Sequence, residues 1–296
     1  MLKDKSFSSR LLDALVIIVC VVVTVATLYP ILYLAALSFS GFDAINRGAV
    51  TIYPIDFTLR TYQIIWRGGT IPRSFVNSIY YMLAGTAINM VCTTTIAYSM
   101  SKKRLPFKNF FSFLVLIPMF FSDGLIPTFL IVQSYGLYNT TWSMILLGAV
   151  STYNLIIMRT FFAAQPIELE ESAFLDGAND LQVFTRIVLP TSQAGIATIA
   201  LFYMVSHWNS WFNPLIYLAD AKKYPLQLVL RNIVIEGQLQ QELAAQGQII
   251  DDAYSDASST AIKYGALFIS IVPMIIIYPF IQKYFTKGVM LGSIKG

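Results

Sequence analysis

Of the 296 residues, 56% are hydrophobic and only 12% charged, against about 25% charged in soluble domains; this excludes an ordinary soluble domain and points to a membrane protein. The formal net charge is +4 and the longest basic block is the three residues Lys102-Lys103-Arg104, which excludes a nucleic-acid-binding surface. Cys20 and Cys92, both inside apolar runs, and the lone His207 make neither a disulfide framework nor a metal-ligand cluster.

At the N-terminal end, Lys3, Lys5 and Arg10 precede an apolar run from about Leu11 to Phe39. The apolar core of a signal peptide is about 7–15 residues, so this run is too long and predicts an uncleaved spanning helix. Crossing the hydrocarbon core takes about 20 mostly apolar residues in a helix, and lipid tolerates only helices or closed barrels. Six stretches qualify, at about 12–38, 75–100, 109–132, 140–162, 191–218 and 264–284, all too long for barrel strands. The prediction is an all-α membrane protein: one domain over residues 1–296 with six transmembrane helices. Two spans are interrupted, the third by Pro118, Asp123, Gly124 and Pro127, the fifth by His207, Asn209, Asn213 and Pro214.

Lys and Arg set the orientation. An even number of spans puts both termini on one side, which then holds twelve basic residues, including Lys102, Lys103, Arg104 and Lys108 in the short 101–108 loop. The other side holds eight, mostly in two long loops at about 40–73 and 219–262, which weigh little in the rule. Both termini, the 163–190 segment and the 285–296 tail are therefore expected in the cytoplasm of a multi-pass cell-membrane protein. Within the second long loop, Leu226 to Ile235 is apolar enough to pack on the membrane domain or a partner, and the Gln-rich 236–250 segment reads as a surface helix.

Segment 163–190 is the most informative part of the chain. Pro166 suits the first position of a helix, and Glu168, Glu170 and Glu171 suit its first turns, where the dipole favours negative charge. Ala173, Phe174 and Leu175 form an apolar patch, and Gly177 supplies a left-handed C-terminal residue. Asn179 or Asp180 can cap a second helix, in which Leu181, Phe184 and Val188, with Val183 and Ile187 beside them, make one apolar face. Pro190 then starts the chain into the fifth span. An amphipathic loop lying on headgroups would favour Lys and Arg on its polar face; here that face is acidic, which favours a protein-docking knob.

The run Glu171-Ser172-Ala173-Phe174-Leu175-Asp176-Gly177-Ala178, followed by Ile187-Val188-Leu189-Pro190, resembles the signature loop of the membrane subunits of bacterial binding-protein-dependent ABC importers; Ser172 stands where that pattern most often has alanine. The resemblance covers essentially the whole chain. More specifically it is to carbohydrate permeases of the maltose-transporter type, through Pro118 to Pro127, Trp208-Asn209-Ser210-Trp211-Phe212-Asn213-Pro214-Leu215 and the tail from Thr286 to Gly292. It implies a type I ABC importer permease fold whose loop between helices 4 and 5 is a coupling helix fitting a cleft in an ATPase subunit. Glu168, Glu171, Ser172, Ala173, Phe174, Asp176, Gly177, Ile187, Leu189 and Pro190 would form that contact, and the tail would reach into the ATPase dimer interface. The implied partners are a second homologous permease, two ATPase subunits, an extracytoplasmic solute-binding protein, a carbohydrate substrate and membrane lipid. ATP and Mg would bind the ATPase subunits, with no cofactor on this chain.

Candidates for the substrate path are Phe121, Asp123, Trp208, Asn209, Trp211, Asn213 and Tyr217. Asp123 either lines a cavity at a broken helix or is hydrated near the outer end of its span. On a continuous helix Trp208, Trp211 and Leu215 share one face and Asn209, Asn213 and Tyr217 the next. Aromatic planes suit sugar ring faces and Asn suits hydroxyls; the same aromatics also suit an interfacial belt. His207 reads as packed or hydrogen-bonded, Thr93, Thr94 and Thr95 as interhelical hydrogen bonds, and Gly85 as a helix-packing residue. No central span carries a clear Arg or Lys for a uronic acid. No GxxxxGK[ST] loop occurs, nor a nucleophile elbow or a paired-carboxylate site, so the chain is expected to be no enzyme. An ion-coupled secondary transporter would rest on Asp123 and Lys263 alone, and a glycan-modifying membrane enzyme lacks its acids. A permease for a non-sugar solute stays open.

Overall fold

The computed structural model describes residues 7–121, 124–245 and 256–292. Every regular element among them is helical, as lipid requires of a chain that closes no barrel. Three helices are long and apolar enough to span, Leu11–Ser38, Thr70–Ser101 and Thr260–Pro279, and two bent pairs bring the number to five if each is one broken span. The chain divides into two compact units, Met1–Ile71 with Asn232–Ile271, and Pro72–Arg231 with Val272–Gly296.

In the first unit, the helix Phe7–Ser38 runs 32 residues, about 48 Å at 1.5 Å per residue. Along residues 11–30 its apolar side chains are exposed all round, a surface that belongs in lipid. Only its end is packed: Ala36 and Leu37 join Ala44, Ile45, Val50 and Ala261 in a small core. The connection to Arg60–Gly68 is pinned by Ser40 Oγ, which accepts from the Ile55 N–H at 3.0 Å, and by the Tyr62 hydroxyl on Ser38 Oγ at 2.8 Å.

The second unit is built on Thr70–Ser101. Its inner face supplies Ala97, Tyr98 and Met100 to a core completed by Leu155, Met158, Phe162, Ala173, Val183, Val188, Ile199 and Tyr203. A second cluster unites Tyr81, Val132, Met144, Ile145, Tyr217 and Leu218. As expected, the apolar start of Leu226–Ala245 packs inward: Leu226, Leu228 and Leu230 are buried, and the Leu226 N–H donates to Ser78 Oγ at 2.7 Å.

Three expected spans differ in continuity. The third is Lys108–Phe120 and Leu125–Ser134, meeting at 117°; the helix runs through Pro118 and stops after Phe120. The fifth begins at Gln193 and stops at Trp208, with Phe212–Tyr217 as a separate turn. The fourth was expected as one helix over 140–162 and is two, Thr141–Leu146 and Thr152–Ala163. Gly148 at φ +73° turns the chain between them, a conformation open to glycine at little cost.

Candidate functional site

The 167–191 segment is a helical hairpin. Pro166 is the residue before the first helix, at φ −59° and ψ 127°, one place earlier than expected, and Ile167–Leu175 follows. Gly177 stands at φ +82°; its N–H donates to the Phe174 carbonyl at 3.0 Å and the Ala178 N–H to the Ala173 carbonyl at 2.9 Å, closing the helix end. Asn179 caps the return helix, exchanging side-chain and backbone bonds with Gln182 at 2.9 Å each. From Phe184 to Val188 the turn widens to a π-helix. That widening corrects the expected apolar face. Val183 and Val188, five residues apart, are fully buried, and Leu181 is 68% exposed; Phe184 packs on Tyr98 at 4.8 Å between ring centroids.

Basic residues of the 101–108 turn hold the hairpin. Lys102 forms an ion pair with Glu170, and both side chains are largely buried; the Lys102 ammonium also lies 4.2 Å from the Tyr98 ring centroid. Arg104 pairs with Asp180 in the open and covers the Phe174 ring at 5.0 Å. Lys108 Nζ donates to the Lys102 carbonyl at 3.1 Å, satisfying an end group of the long helix. A cavity of about 250 Å³ opens beside these contacts, bounded by Ser101, Lys103, Gln165 and Glu171.

The expected docking residues therefore divide. Glu168, Glu171, Ser172, Asp176, Gly177 and Pro190 are exposed, Phe174, Ile187 and Leu189 partly buried, and Ala173 is core. The apolar patch expected at 173–175 is carried outward by Leu175 alone, 90% exposed, with Ile167, Leu169 and Leu181 also exposed on the hairpin.

The residues predicted for a substrate path are not brought onto two faces of one helix, because the helix ends at Trp208. Trp208 is buried edge-on to Phe75 at 5.8 Å and Tyr217 is buried against Phe129 at 6.2 Å, so neither presents a free ring face. Phe121 is exposed, as is Asn209. Asp123 lies outside the described residues, as do residues 293–296 of the tail. Trp211 is partly exposed and carries the Arg231 guanidinium 5.0 Å above its ring centroid. Sequence reading placed Arg231 in a loop and did not connect it to the aromatics. Asn213 lines a cavity of about 310 Å³ at the break in the fourth span.

That cavity is framed by groups that hold the break. Asn89 Nδ2 donates to the carbonyls of Gly148 and Ala149, both at 3.0 Å. Its Oδ1 therefore faces His207 Nε2 at 2.8 Å, so that nitrogen carries the hydrogen. The Tyr203 hydroxyl accepts from the Ser151 N–H at 3.0 Å and bonds Thr93 Oγ1 at 2.7 Å. His207 and Thr93 are thus hydrogen-bonded as expected, and Asn89 holds the broken backbone. Gly85 fits the same cluster, since a Cβ there would lie 2.4 Å from His207 Nε2. Gly85→Ala is expected to drive the imidazole off Asn89 and destabilise the protein by about 1–3 kcal/mol. The check is the midpoint of thermal aggregation in detergent, and a midpoint equal to wild type would refute this packing.

Residues 85–291 match the family described as "Binding-protein-dependent transport system inner membrane component". The chain is 41% identical over 270 residues to protein LplC of Bacillus subtilis, covering 91% of this chain and 90% of that one. It is 37% identical over 289 residues to the polygalacturonan/rhamnogalacturonan transport system permease protein YtcP of the same organism, covering 97% and 99%. A solved bacterial ABC transporter involved in the import of the acidic polysaccharide alginate contains a chain with TM-score 0.84 and 29% identity, the match covering 95% of this chain and 99% of that one.

Proposed function

This chain belongs to the family of binding-protein-dependent transport system inner membrane components, and from that premise we propose that it forms half of the translocation path of an ATP-driven oligosaccharide importer. It is a membrane-embedded carbohydrate permease subunit and no enzyme; ATP hydrolysis sits on separate subunits. Such a subunit works with a second permease, an ATPase and a solute-binding protein. In the proposed assembly there are one homologous permease, two ATPase copies that carry ATP and Mg, and an extracytoplasmic binding protein that meets the 40–73 and 219–262 segments. Six spans with both termini in the cytoplasm agree with the bias of Lys and Arg toward one side.

The observation that carries the coupling role is the 167–191 hairpin, braced on the 101–108 turn and exposing Leu175, Leu181 and the Glu168 and Glu171 carboxylates. Apolar side chains on a polar rim are the make-up of a protein interface. Closure of the ATPases would move the hairpin as a rigid body and rock the spans between two access states. Tagged wild type, purified from its native membrane in mild detergent, is expected to bring down an ATPase, and Glu171→Lys and Gly177→Val to lose at least about tenfold of it. Valine at positive φ is a strongly disfavoured conformation. An ATPase absent from wild type would end this proposal and make an ion-coupled transporter the one to test.

The substrate class we propose is an acidic oligosaccharide. The polygalacturonan/rhamnogalacturonan relative and the alginate importer support it, and on this chain the Arg231 guanidinium above Trp211 provides a permanent positive charge beside an aromatic ring. In proteoliposomes holding the complete importer, uptake of digalacturonate and trigalacturonate is expected to exceed that of maltotriose.

A further inference from the structure

We infer that the cavity at the break in the fourth span binds the hydroxyl-bearing edge of one sugar ring as it passes, an inference that rests on the proposed function and assigns its site. The cavity lies at membrane depth. Asn89 on its wall stands twelve residues from Ser101 and nineteen from Thr70 in one helix, about 18 Å and 28 Å along the axis. With a hydrocarbon core about 30 Å thick, the wall is inside it.

Non-helical backbone at that depth is tolerated only where protein buries it or a polar cavity hydrates it. Four side chains meet the needs of the break itself: Asn89, His207, Tyr203 and Thr93. Ser206, Ser210 and Asn213 also line the cavity, yet their side chains hold none of that backbone. Polar groups surplus to the fold are costly inside a membrane and mark substrate pathways.

The chemistry of the wall selects the ligand. No Asp, Glu, Lys or Arg lines it, so neither a metal cation nor a carboxylate finds a counter-charge. Hydroxyl and carboxamide groups both donate and accept, the dual capacity that a sugar hydroxyl also has. Met144, Leu147 and Val150 also line it and add apolar surface, suited to the C–H face of a pyranose. The volume, about 310 Å³, is at the lower end for small-molecule sites, which fits one ring of a longer chain. On a uronide, this cavity would hold ring hydroxyls, leaving the acid group to point elsewhere.

The test uses the complete importer in proteoliposomes, with radiolabelled trigalacturonate as the probe and maltotriose beside it. Ser206→Val, Ser210→Val and Asn213→Leu are made singly and together. The combined variant is expected to lower sugar delivered per ATP hydrolysed by about tenfold or more, the loss of one to two hydrogen bonds, while ATP hydrolysis stimulated by the binding protein stays within about twofold of wild type. Uptake per ATP at the wild-type value would overturn the inference, because a purely structural cavity predicts that result. Where the combined variant fails to assemble, Asn213→Leu alone carries the same two outcomes, since that residue is exposed on the short Phe212–Tyr217 helix. Wild type that moves neither probe nor any other oligosaccharide strikes at the proposed function instead, and the cavity assignment falls with it.

Discussion

Asn89→Leu is expected to leave no assembled protein at growth temperature. The leucine is near in volume, so the effect is one of polarity. It strands the carbonyls of Gly148 and Ala149 and the Nε2 hydrogen of His207, three groups that lose their side-chain partner. Each unsatisfied buried group costs about 1–3 kcal/mol, and the sum over three, on the order of 3–9 kcal/mol, rivals the whole stability of many domains. Thr94→Val is the matched control on the same helix. Thr94 Oγ1 only returns a bond to its own helix, to the Met90 carbonyl at 2.7 Å, so less than about 1 kcal/mol is expected. Monodisperse yield after detergent extraction reads both, and a normal yield of Asn89→Leu would mean that the broken span finds other partners.

Glu170→Leu should uncouple the hairpin from the long second helix. It leaves the Lys102 ammonium, with its side chain only 16% exposed, facing the Tyr98 ring without a counter-ion. Removing one partner of a buried pair costs about 3–5 kcal/mol; the residual exposure argues for the low end, near 3 kcal/mol. Lys102→Leu combined with Glu170→Leu is expected to recover most of the stability, because no lone charge remains. Transport should not recover with it if the pair transmits motion, since the hairpin then rests on the exposed Arg104–Asp180 pair, worth about 1 kcal/mol or less. Melting midpoints together with sugar uptake per ATP separate the two roles; a double variant with normal uptake would reduce the pair to a brace.

What could be read in the sequence was what local chemistry dictates. Spanning helices follow from apolar length, and the hairpin follows from Pro166, Gly177 and Asn179, each of which acts within a few residues of itself. The fourth span was misjudged because its break depends on a partner 59 residues away in sequence, Asn89 to Gly148, which no window can see. The apolar face of the return helix shifted because a π turn changes the period on which such faces are counted. Trp208 and Tyr217 looked like sugar-stacking rings by composition alone; tertiary packing buries them, and aromatic residues serve cores far more often than pathways. Arg231 stayed invisible as a neighbour of Trp211 because the pairing closes a loop of twenty residues.

The N-terminal helix has one more consequence. From Leu11 to Pro30 it touches so little of its own chain that every residue is exposed. Over that length its place in the bilayer owes little to the rest of this chain. As the nascent chain leaves the ribosome, this segment can partition into lipid at once, while the second unit is still unsynthesised, and so tether the unfinished chain to the membrane on which the rest must assemble. Order of synthesis thereby becomes order of insertion, with the self-sufficient segment first and the broken, mutually dependent ones after it.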